Sequence, residues 1–161
     1  MDKKVLFVCM GNICRSPAAE EVMRQKIREA GLESKIRVDS AGTYGGHVGE
    51  QPDVRMRQAA GNRGYHLKHA ARKINYDDFD KYDMIVVMDD NNYDDVYRMA
   101  PTSEAADKVF TLSDFFQNNT HDHVPDPYYE GADGFELVLD LLEDGTEGVL
   151  RYLTEEANDD E

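Results

Sequence analysis

The stretch from Lys4 to Pro17 limits the fold more than any other part of the chain. Val5-Leu6-Phe7-Val8-Cys9 is a short apolar run rich in β-formers, the pattern of a strand buried on both faces. Met10-Gly11-Asn12 breaks that run. Ser16 then reads as a helix N-cap with Pro17 at the first helical position, and the segment that follows carries acids early and bases late until Gly31 stops it. The order is therefore strand, tight loop, helix, which commits the first thirty residues to one half of a parallel α/β unit.

The rest of the chain repeats that alternation. Ile36–Ala41, Asp83–Met88 and Lys108–Leu112 read as further strands, the second holding the continuous run Met84-Ile85-Val86-Val87-Met88. Asp53–Arg63, stopped by Gly64, reads as a helix, as does Asn91–Met99. Phe135–Leu153 is a final helix with Phe135, Val138, Leu139, Leu142 and Val149 on one stripe. Strands alternating with helices predict an α/β fold, a doubly wound, Rossmann-like parallel sheet. With 161 residues and no linker or internal repeat, one domain is expected over residues 1–153, followed by an acidic, frayed tail at 154–161.

Charge and cysteine usage narrow the function classes. The net charge of −15 opposes nucleic-acid binding, since a phosphate backbone would be repelled. Residues 1–75 carry 14 Lys and Arg against 8 Asp and Glu, so nearly all the excess acid lies in the second half and any anion site belongs in the first. Val5–Met10 is far too short to span a bilayer or to form a signal-peptide core, so no membrane association is expected. Cys9 and Cys14 are too close together to staple distant parts of a secreted fold, and they point to a reducing, cytoplasmic setting in which thiols do chemistry.

In an open parallel sheet ligands bind beyond the carboxyl ends of the strands, where the loop Cys9-Met10-Gly11-Asn12-Ile13-Cys14-Arg15-Ser16 must lie. Backbone N–H groups of such a loop can converge on an anion, aided by the positive end of the helix that follows. Arg15 can fork two hydrogen bonds onto two oxyanion atoms. The field that draws an anion also stabilises a thiolate, which makes Cys9 a nucleophile at neutral pH. The bland alternatives are a buried Cys9 with a surface Arg15, a non-catalytic anion-binding module, and a zinc knuckle joining Cys9 and Cys14 to His121 and His123.

Val8-Cys9-Met10-Gly11-Asn12-Ile13-Cys14-Arg15-Ser16-Pro17, Val38-Asp39-Ser40-Ala41-Gly42-Thr43 and Asp126-Pro127-Tyr128-Tyr129 together resemble the low-molecular-weight protein tyrosine phosphatases, over nearly the whole chain to about Leu153. The resemblance implies a four-stranded parallel sheet flanked by helices. It also implies hydrolysis of phosphotyrosine in a protein or peptide through a phosphocysteine intermediate, with inorganic phosphate as product and inhibitor and with neither metal nor cofactor. By motif match Cys9 is the nucleophile, Arg15 the phosphate clamp and Asp126 the general acid, while Asn12, Ser16, Ser40 and His69 match positions that support the loop. The same resemblance implies a reversible Cys9–Cys14 disulfide that protects the thiolate.

Physical chemistry is consistent with these roles. Phosphoryl transfer needs in-line attack, charge stabilisation on the equatorial oxygens and a proton for the leaving phenolate. Asp126 must hold its proton while Cys9 is ionised, and a carboxyl facing a thiolate and a phosphate dianion is kept neutral by like-charge repulsion. Phosphoarginine hydrolysis and thiol-dependent arsenate reduction are the alternatives on the same fold. The related phosphoarginine phosphatases carry a threonine where this chain has Ile13. One departure from the family pattern is Gly46, which stands where an aromatic wall of the substrate cleft is usual. Tyr44 is expected to fold inward in its place, with Tyr128 or Tyr129 covering the other face of the ring.

Overall fold

The computed structural model of the chain describes residues 2–128 and 130–159. Strands β1 (Lys3–Cys9), β2 (Ile36–Gly42), β3 (Met84–Val87) and β4 (Val109–Thr111) form one sheet in the order β2-β1-β3-β4, with every neighbouring pair parallel. Among the described residues six helices accompany them: α1 (Arg15–Glu29), α2 (Val54–Asn62), α3 (Asp77–Lys81), α4 (Asp90–Met99), α5 (Ser103–Ala106) and α6 (Ala132–Asp159). A 3-10 turn at Leu112–Phe115 follows β4.

The pleat of β1 explains why its run is apolar throughout. Val5, Phe7 and Cys9 face a core shared with α1 and α6, where Val22, Met23 and Ile27 meet Phe135, Val138, Leu139, Leu142 and Val149. Leu6 and Val8 face the opposite core with Phe79 of α3, Val96 of α4, and Ile85 and Val87 of β3. Burying each such side chain stabilises the fold by about 1.5–3 kcal/mol, so both faces of the sheet must be covered. The chain winds from β1 to β2 on one side and then to β3 and β4 on the other. The crevice between diverging connections therefore opens at the carboxyl ends of β1 and β3.

Several boundaries differ from those expected, each for a local reason. Asp53 lies outside α2 as its N-cap, its carboxylate accepting from the N–H groups of Arg55 and Met56. The helices α3 and α5 and the 3-10 turn are too short for an apolar period to register. Helix α6 starts at Ala132 and continues to Asp159, well into the segment expected to fray, because no glycine or proline stops it after Leu153 and Thr154 Oγ1 donates to the carbonyl of Leu150. Gly145 and Gly148 inside α6 let the 3-10 turn approach: a Cβ at Gly145 would enter the Leu112 side chain, and one at Gly148 the Phe115 carbonyl. Among the described residues, no helix is long and apolar enough to cross a membrane.

Candidate active site

Helix α1 begins at Arg15 with Cys14 as its N-cap, so Ser16 is not the cap that the Ser-Pro pair predicts. Its hydroxyl turns inward instead, 3.0 Å from Cys9 Sγ. Pro17 still fits the first turn, where a backbone N–H would find no partner in the helix. The loop from Cys9 to Cys14 is held from outside by its carbonyls: Cys9 O accepts from Thr43 N, Met10 O from Tyr44 N, and Ile13 O from Asp53 N at 2.6 Å. Among the described residues, the N–H groups from Gly11 to Ser16 donate to no protein acceptor. Amides left open on the inner side of a loop whose carbonyls are engaged outside form an anion nest at a helix N-terminus.

Asn12 holds this shape. It has φ of 57°, a left-handed conformation that asparagine tolerates better than most residues, and it is buried. Its Nδ2 donates to Ser16 Oγ at 2.8 Å and to Ser40 Oγ at 3.0 Å. Its Oδ1 accepts from the backbone N–H of Arg72 at 2.9 Å and lies 2.7 Å from His69 Nε2. Because the Arg72 N–H can only donate, the bond fixes the orientation of the Asn12 amide and makes His69 Nε2 a donor as well. Ser40 Oγ in turn donates to Glu20 Oε1, which lies 3.2 Å from His69 Nδ1. Arg72 is itself clamped by a fork onto Asp78, so the loop is tied to the sheet through one continuous polar network. Gly42 sits beneath it, where a Cβ would press on the Met10 carbonyl at 2.6 Å.

Arg15 is buried and arrives at the same spot from the first turn of α1. Its Nη1 donates to Asp89 Oδ2 at 2.7 Å and to the Val124 carbonyl at 2.9 Å, while Nη2 lies 3.8 Å from Asp126 Oδ2. Burial pulls its pKa down, but the negative charge at Cys9 and the bond to Asp89 outweigh that and hold the guanidinium above its ordinary value. Asp126 is half-exposed on a loop, and its Oδ1 accepts from the Tyr128 N–H at 3.1 Å. A cavity of about 250 Å³ brings together Cys9, Met10, Gly11, Ile13, Cys14, Arg15, His47, Asp126 and Tyr128. A larger cavity, about 450 Å³, opens at the opposite end of the sheet between Lys4, Arg37, Lys81 and Tyr82, and no cysteine, serine or threonine is among its described lining residues.

The cleft wall departs from expectation. Tyr44 does not line the cavity; it is 55% exposed, and its ring lies across Gly46, where a Cβ would meet its Cζ, Cε1 and Oη. His47 is the wall on that side, held by Glu50 at 2.6 Å and met edge-on by the Tyr44 ring. Tyr44 thus occupies the space above residue 46 but backs His47 instead of facing the ligand. Tyr128 lines the opposite side, and Tyr129 lies outside the described residues.

Four contributors were not read from the sequence: Asp89, His47, Glu20 and Arg72. Asp89 had a signal, because it follows a strand adjacent to β1 and caps α4 by accepting from Asn92 N. The other three are set by tertiary approach alone. Both cysteines are free and buried. Burial, followed by the neighbouring Cys9, Asp53 and Asp126, pushes the Cys14 thiol well above its ordinary range, which leaves it protonated. Among the described residues, His121 and His123 do not converge on the cysteines. Among the described residues, the one group that could hold a metal ion is Glu20, Asp39 and His69, in which His69 is already paired with both carboxylates.

A thiol under a ring of open amides, flanked by a buried arginine and a half-exposed carboxyl at the switch point of a parallel sheet, defines a cysteine-based phosphatase of the α/β type. The sequence family described as Low molecular weight phosphotyrosine protein phosphatase matches residues 4–159, and the chain belongs to that family. It is 44% identical to a low molecular weight phosphotyrosine protein phosphatase of Schizosaccharomyces pombe, over 93% of this chain and 96% of that one. A protein tyrosine phosphatase from Entamoeba histolytica, crystallised with Hepes in the active site, superposes with a TM-score of 0.94 at 42% identity, covering 97% of this chain and 99% of that one. A Drosophila arginine phosphatase superposes with a TM-score of 0.87 at 31% identity, covering 93% of this chain and 97% of that one.

Proposed function

We propose that this enzyme hydrolyses phosphotyrosine in proteins or peptides, in the reducing environment of the cytoplasm, with Cys9 as nucleophile, Arg15 as phosphate clamp and Asp126 as general acid. The observation that carries the reading is the shared cavity of Cys9, Arg15 and Asp126 beneath unengaged amides. The phosphate's equatorial oxygens take the N–H groups and Arg15, Cys9 attacks phosphorus in line, and Asp126 gives its proton to the departing phenolate. The S–P bond formed is then broken by water, which Asp126 deprotonates, releasing inorganic phosphate and restoring the thiolate. Ser16, 3.0 Å from the sulfur, steadies its charge. The test is hydrolysis of p-nitrophenyl phosphate in the presence of a chelator. Cys9→Ser is expected to abolish turnover while phosphate binding persists through the loop and Arg15; a variant within tenfold of wild type would overturn the nucleophile assignment.

Likeness to an arginine phosphatase supports phosphoarginine as a second reading. Ile13, which lines the cavity, favours an aryl ring over a charged guanidinium. Wild type is expected to show higher kcat/KM on phosphotyrosine, and Ile13→Thr to narrow the gap; the opposite preference in wild type would make phosphoarginine the substrate class.

A further inference from the structure

We propose that Arg55 is a positioning residue that holds the Asp126 loop in its proton-donating place, an inference that rests on the reading of Asp126 as general acid. Arg55 belongs to the first turn of α2 and is exposed, with no contact to the cavity that holds Cys9. Its guanidinium carbon lies 5.3 Å from the centre of the Tyr128 ring and 4.8 Å from that of Phe135, so it bridges the two rings. Both distances are within cation–π range. Phe135 is buried in α6, packed into the core, whereas Tyr128 lies on the loop, 47% exposed. The Tyr128 backbone N–H is the donor that fixes Asp126 Oδ1.

The other end of this linkage is equally specific. Asp53, the N-cap of α2, accepts from Arg55 N and lies 3.4 Å from Arg55 Nη2, while its own N–H donates to the Ile13 carbonyl of the phosphate loop. One turn of helix therefore contacts the loop that receives the phosphate and, through Arg55, the loop that delivers the proton. The planar guanidinium is what makes this possible, since it can stack on a ring and face a carboxylate together; an ammonium is a point charge that cannot do both.

A contact of this kind acts only on the proton-transfer part of the reaction. Arg55→Ala is expected to lower kcat/KM about tenfold on phenyl phosphate, equivalent to about 1.4 kcal/mol of barrier. On an aryl phosphate with a strongly acidic phenol, which leaves without protonation, the loss is expected to be less than about twofold. Inhibition by inorganic phosphate should not change, and Arg55→Lys should recover only part of the loss. Amide hydrogen exchange at Tyr128 should quicken in Arg55→Ala, an outcome independent of turnover. Equal losses across the leaving-group series, no loss at all, or unchanged exchange at Tyr128 would each overturn the proposal. If wild type fails to hydrolyse any phosphomonoester, the proposed function fails instead, and Tyr128 exchange alone decides whether Arg55 orders the loop.

Discussion

Replacing Asn12 by alanine probes the polar network more directly than changing any residue facing the cavity. The side chain is 1% exposed and makes four hydrogen bonds, two given to Ser16 and Ser40 and two taken from Arg72 N–H and His69. At about 1 kcal/mol net for each, their loss amounts to about 4 kcal/mol. Alanine must also adopt the φ of 57°, which costs about 1 kcal/mol more. About 5 kcal/mol is a large part of the 5–15 kcal/mol that stabilises a typical domain, and for a chain of this size it lowers Tm by about 10–20 °C. Asn12→Gly accepts the backbone conformation but lacks the side chain, so it reports the hydrogen bonds alone. Urea denaturation of both variants, with m unchanged, measures the two contributions. A loss below about 2 kcal/mol in Asn12→Ala, or a glycine variant as stable as wild type, would refute the claim that this network holds the loop.

Asp126→Asn is expected to lose roughly 10² to 10⁴ in kcat/KM on phosphotyrosine, the usual size of general-acid catalysis, with a smaller loss on more acidic leaving groups; an equal loss throughout a leaving-group series would assign Asp126 a structural role. Cys14→Ser should keep most activity but recover less after peroxide when treated with dithiothreitol, and equal recovery would remove the protective disulfide from the reading. Asp144 accepts from the N–H groups of Gln117, Asn118 and Asn119 and from the Asn119 side chain; although its burial disfavours the charge, these bonds hold its carboxyl below the ordinary range. Its contribution is therefore full above the unfolded carboxyl pKa of about 3.9 and is lost as pH falls through the lower folded value. Asp144→Ala should cost about 2–3 kcal/mol at pH 7 by urea denaturation, and a gap from wild type that does not close in acid would contradict this.

The order of strands and helices was legible because burial on both faces leaves unbroken apolar runs such as Val5–Cys9 and Met84–Met88, and because Gly31 and Gly64 mark helix ends. Cys9 and Arg15, which converge from one loop, were legible because their spacing is local, while the supporting roles of Asn12, Ser16, Ser40 and His69 followed from the family resemblance. Asp126 came from the family resemblance alone, since 33 acidic residues leave no single one distinguished. The Ser16-Pro17 pair predicts a cap that the structure gives to Cys14, because a serine before proline has the same sequence signature whether its hydroxyl faces backbone or sulfur. His47 could not be found at all: its place in the wall follows from a close approach to Gly11, where a Cβ would lie 3.1 Å from His47 Cδ2, and no periodicity encodes that distance.

The Tyr44 ring lying over Gly46 makes these two positions interdependent during divergence. A side chain at 46 evicts the ring from above the backbone, so an aromatic gained there removes the support of His47 before it supplies any wall of its own. The effect of either substitution thus depends on which residue changed first. Tyr44→Ala should weaken binding of aryl substrates when residue 46 is glycine and have little effect when it is tryptophan, a background-dependent effect built into a single tight turn.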